Sequence, residues 1–68
     1  MAARPELPGM ERYYMQAVLY DMRRERTYTA AAVVARYDTS GQLVEVSWQE
    51  GGHRIVIPAQ YVTRLVER

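Results

Sequence analysis

Between residues 42 and 49, QLVEVSWQ, apolar and polar positions alternate: Val44, Val46 and Trp48 against Glu45, Ser47 and Gln49. A period of two marks a strand with one buried face. DTSG (38–41) precedes it. Asp38 and Ser40 can bond their own backbone and Gly41 can take positive φ, so a tight turn is expected there. EGG (50–52) follows and predicts a hairpin connection. HRIVI (53–57) then returns as a strand with Ile55 and Ile57 on one face. Pro58 has no N–H, so a central strand cannot run through it. AQY (59–61) is predicted as one 3₁₀ turn, and VTRLV (62–66) as a short closing strand anchored by Val62, Leu65 and Val66.

Upstream, YTAAAVVARY (28–37) reads as a strand on Val33 and Val34, its alanines suited to a tightly curved barrel. Residues 10–26, MERYYMQAVLYDMRRER, fit two patterns. As a strand, Met15, Ala17 and Leu19 share one face, and Tyr14, Val18 and Tyr20 the other. As a helix, Met10, Tyr13, Tyr14, Ala17, Val18 and Met22 form a stripe at spacings of three and four. The strand is preferred, and residues 1–11, with two prolines and a glycine, are expected as a flexible lead-in to one domain over 12–68.

AVLYDM (17–22) resembles the opening strand of an SH3 fold, and VIPAQYV (56–62) resembles the element before its last strand. The resemblance, with similarity to Tudor-like barrels, implies a mainly β, five-stranded SH3-like barrel with a short 3₁₀ turn near the C-terminus. The alternative is an α+β fold with a helix over 10–26 and three or four antiparallel strands. In an SH3 domain the matching Tyr20, Pro58 and Tyr61 would form an aromatic groove for polyproline segments. Here the loop after the first motif is basic, RRER (23–26), where peptide-binding SH3 domains carry acidic residues, and Met22 replaces a tyrosine. The barrel is also similar to that of type II dihydrofolate reductases, but Ile55-Val56-Ile57 stands where their Gln-Ile-Tyr-like pore floor would be. Stand-alone barrels of this kind occur in phages and mobile elements.

Composition narrows the functional classes. A chain of 68 residues forms at most one domain. At this size a core rarely supplies more than roughly 3–5 kcal/mol. With no cysteine and one histidine, disulfides, zinc fingers and thiol chemistry are excluded, which leaves docking or a homo-oligomer as the added support. All nine basic residues are arginine, yet the net charge is +1, without the excess of a typical DNA binder. No apolar run reaches the ~20 residues that span a bilayer, and no stretch resembles a signal peptide, so no membrane association and a cytoplasmic location are expected.

Neither a Ser-His-Asp set nor a glycine-rich phosphate loop occurs, so no cofactor, metal or catalytic residue is expected. His53 has no second His or Cys to share a metal, and Asp21 reads as a salt-bridge partner for the neighbouring arginines. Trp48 lies on the core face of its strand but also offers a ring for stacking. The expected binding residues are Tyr20, Arg23, Arg24, Arg26, Trp48, Pro58 and Tyr61. The leading expectation is a non-enzymatic regulatory module that docks on a protein partner through aromatics and arginines. Nucleic acid, held by arginine–phosphate contacts and aromatic stacking, is the second. An oligomeric small enzyme is the third.

Overall fold

The computed structural model describes residues 10–67. Five strands follow one another: β1 (Met10–Asp21), β2 (Arg26–Tyr37), β3 (Leu43–Glu50), β4 (His53–Pro58) and β5 (Val62–Val66). A single 3₁₀ turn, η1 (Ala59–Tyr61), separates β4 from β5. All pairings are antiparallel and the sheet order is β4-β3-β2-β1-β5. The first four strands form a meander, and the fifth returns to pair with the first. This is the mainly β, five-stranded architecture expected from the sequence. The alternative helix over 10–26 is not formed. Tyr13, Tyr14, Val18 and Tyr20 favour extended backbone, and β1 pairs with β2 from Met10↔Tyr37 to Asp21↔Arg26. Residues 1–9, most of the expected lead-in, lie outside the described residues, and β1 begins at Met10.

Among the described residues no helix or second sheet covers this sheet. Burying one of its faces therefore requires the sheet to roll upon itself. It does so around Ala17, Leu19, Ala30, Val33, Ala35, Val46 and Trp48, with Tyr14, Tyr37, Leu43, Ile55, Ile57, Val62 and Leu65 packed against them. The η1 turn touches both β1 and β3, bridging strands that are not neighbours in the sheet. Alanines at 17 and 30 sit directly opposite each other and leave room for the tight curl.

Three irregularities decide which side chains point inward. At Met15 and Ala32 the β1–β2 pairing is interrupted, and Ala32 takes φ +55°. Ala17 and Ala30 are buried on one side of this break, Tyr14 and Val33 enter the core on the other, and Met15 is left 55% exposed. Met15 therefore does not share the face of Ala17 and Leu19. A second irregularity, at Val44, lies between the pairs Arg36↔Glu45 and Tyr37↔Leu43. Leu43 joins the core in place of Val44, which the alternation had placed there. The third, at Thr63, gives Val62 and Leu65 a common inward face despite their spacing of three.

The turns form as the sequence predicts. Asp38 Oδ1 accepts hydrogen bonds from the Ser40 N–H (2.9 Å), the Ser40 hydroxyl (2.6 Å) and the Gln42 N–H (3.0 Å), while Gly41 takes φ +90°. Those bonds hold the Asp38 carboxyl below its ordinary pKa. Gly51 and Gly52, at φ +59° and +82°, form the two-residue β3–β4 connection. Among the described residues no helix is long and apolar enough to cross a membrane.

Candidate functional site

The β1–β2 turn, Met22–Glu25, forms one wall of the site. Asp21 Oδ1 organises it by accepting the backbone N–H groups of Arg23 (2.9 Å) and Arg24 (3.3 Å). Its other oxygen lies 3.5 Å from the Arg24 guanidinium, the loop salt bridge expected of Asp21. Glu25 closes the turn at φ +54°. With the backbone fixed locally, Arg23 and Arg24 leave the tip on adjacent positions. Arg23 makes no ion pair with another described residue.

The opposite wall arises from the proline. Pro58 ends β4, η1 follows, and Tyr61 leaves the turn half-buried, close to Ile57. Between the walls lies an open cleft of about 490 Å³, lined by Tyr20, Asp21, Met22, Arg23, Arg24, Tyr28, Ile57 and Tyr61. Tyr20 (40% exposed), Met22 (60%) and Tyr28 (37%) present large apolar surfaces there. Burial, then the nearby Asp21 and Glu50 carboxylates, pushes the Tyr28 phenol above its ordinary pKa. Like any tyrosine phenol it is protonated at neutral pH and able to donate.

The structure thus brings together four of the residues expected from the sequence: Tyr20, Arg23, Arg24 and Tyr61. Arg26 lines a smaller adjoining hollow with Asp21, Arg24, Thr27 and Tyr28. Pro58 is exposed and lines neither hollow. Trp48 stands in the core, 9% exposed, with its indole N–H donating to Glu50 Oε1 at 2.9 Å. No family model, curated protein or solved structure matches the chain. Asp21, Met22, Ile57 and Tyr28 complete the lining, and of these Tyr28 is the aromatic ring absent from the expected binding residues. Its signal was hairpin geometry: a turn over 22–25 places residue 28 opposite Leu19, beside the opening motif.

The remaining arginines lie elsewhere. Arg36 and Arg54 approach Glu45 Oε2 at 3.4 and 3.9 Å, and Arg54 also reaches the Ser47 hydroxyl at 3.4 Å. A larger hollow of about 720 Å³, lined by Arg12, Tyr13, Tyr14, Met15, Ala32 and Glu67, lies at the break in the β1–β2 pairing. It holds none of the expected binding residues. Among the described residues no three His, Cys, Asp or Glu side chains cluster as a metal site. The cleft therefore offers flat apolar rings beside guanidinium groups, a surface suited to apolar packing combined with recognition of an anion.

Proposed function

We propose that this protein is a small binding module that docks on a protein partner through the cleft between the β1–β2 turn and η1. The observation that supports this reading is the convergence of Tyr20, Tyr28 and Tyr61 with Arg23 and Arg24 around one cleft. Tyrosine and arginine are the residue types that dominate interface energetics, because each combines a large contact area with directional hydrogen bonding. The anchor on the partner is an apolar or aromatic side chain flanked by a carboxylate. Arg23 supplies the counter-charge, since Arg24 is already engaged by Asp21.

The test is recovery of partners from lysate, identified by mass spectrometry, with wild type, Tyr61→Ala and an Arg23→Ala/Arg24→Ala double variant. Loss of a central tyrosine contact is expected to cost about 2 kcal/mol, roughly a thirtyfold fall in affinity. Equal recovery by all three folded proteins would remove the cleft as the binding site. If the material recovered from each is nucleic acid, the protein-docking reading fails.

A further inference from the structure

Rolling leaves several strand flanks unpaired, and they are chemically unequal. β4 is an edge strand in the sheet order, but it carries Arg54 and ends at Pro58. β5 is the other edge; it is short, irregular at Thr63 and carries Arg64. The first half of β1 has no described partner on the β5 side, and Glu11 and Arg12 lie there. Charges, proline and irregular pairing are the ordinary means by which proteins keep an edge from pairing with another chain.

β2 differs. Its pairing with β3 begins at Val34, so residues 27–33 have no described partner on that side. The run Thr27, Tyr28, Thr29, Ala30, Ala31, Ala32 contains no charge and no proline, and all but Ala30 are exposed. We infer that this flank of β2 is a self-association edge, pairing antiparallel with the same flank of a second copy about a two-fold axis at Thr29.

Side-chain identity favours a second copy as the occupant. The two-fold register sets Thr29 opposite Thr29 and Thr27 opposite Ala31, all small side chains that do not obstruct a close approach. Each Arg26 lies three positions from the axis, on opposite sides of it. The two Arg26 charges are then separated by six strand positions, about 20 Å. Residues 27–32 carry no charge of their own for an acidic or basic partner segment to pair with, whereas an identical run meets them with uncharged side chains. The core supplies a reason for association. Among the described residues three of the seven buried apolar ones are alanine, and so small a domain gains proportionately from added pairing.

The experiment is sedimentation of the full chain, combined with single-cysteine crosslinking. Because the protein has no cysteine, an introduced thiol can form a disulfide only between copies. A dimer is expected at micromolar concentration, with Thr29→Cys crosslinking under mild oxidation and Val56→Cys, on β4, remaining uncrosslinked. Ala31→Lys is expected to weaken the dimer about tenfold, because two edge contacts change at once. Adding Thr27→Glu should restore it, since each glutamate would then face a lysine of the other copy. A strict monomer would overturn the inference. So would a dimer that crosslinks at Val56→Cys in preference to Thr29→Cys, or one indifferent to Ala31→Lys.

Discussion

Leu19 is fully buried among alanines and valines, and its neighbours in β1 and β5 cannot collapse far without disturbing their pairing. Leu19→Ala should therefore destabilise the fold by about 3 kcal/mol, most of what a domain of this size has to lose. Tyr13→Ala, at a side chain 78% exposed, should change stability by less than about 0.5 kcal/mol. Urea denaturation of the two variants checks both values. Tyr37 makes a second residue-scale prediction. Burial, then a 2.8 Å hydrogen bond with the Tyr14 hydroxyl, pushes its pKa up to about 12. The folded state thus holds this proton more tightly than the unfolded state, whose phenol titrates near its ordinary value of 10.0. The resulting stabilisation is fully present below pH 10 and is lost as pH rises toward 12. Stability measured across that window should fall in wild type, and the fall should be shallower in Tyr37→Phe.

At the level of elements, the bend in β2 is the feature on which the roll depends. Ala32 occupies the left-handed region, where a side chain costs roughly 1–2 kcal/mol. Ala32→Gly removes that cost but adds about 0.5–1 kcal/mol of backbone entropy. A net gain of about 0.5 kcal/mol is expected, seen as a higher urea midpoint with an unchanged slope; a loss of stability would show that the alanine methyl is needed for packing. The turns were legible beforehand because their chemistry is local. Asp38, Ser40 and Gly41 need only each other to form a turn, and Gly51-Gly52 needs only its own positive φ angles. The faces of β1 were only half legible. Ala17 and Leu19 followed the period of two, but Met15 and Tyr14 did not, because the inward face changes at the Met15/Ala32 break.

For the whole molecule, charge distribution separates the two classes of partner. The net charge is only +1, Arg24 is paired with Asp21, and Arg36 and Arg54 approach Glu45. Binding through the tyrosine cleft should therefore weaken only modestly from 50 to 200 mM salt, by about tenfold or less, as expected when one or two ion contacts are screened. A fall of roughly a thousandfold over the same range would indicate many phosphate contacts and turn the reading toward nucleic acid. An affinity titration at three salt concentrations decides between them. The cleft was partly visible in the sequence. Tyr20, Arg23, Arg24 and Tyr61 were named from two short motifs and a basic loop, whereas Tyr28 entered only through pairing across β1 and β2.

The sequence alone determined the turns at 38–41 and 51–52 and the strands that flank them, because turn residues and the alternation of side chains act over a few positions. It also determined that Ile55 and Ile57 would share a face and that the chain would turn after Pro58. Only the tertiary structure decided where the long β1–β2 ribbon bends, which arginines share the cleft with three tyrosines, and which flank of β2 stays unpaired. These depend on how far one sheet must curl to bury its own face, a distance set by contacts between residues remote in sequence.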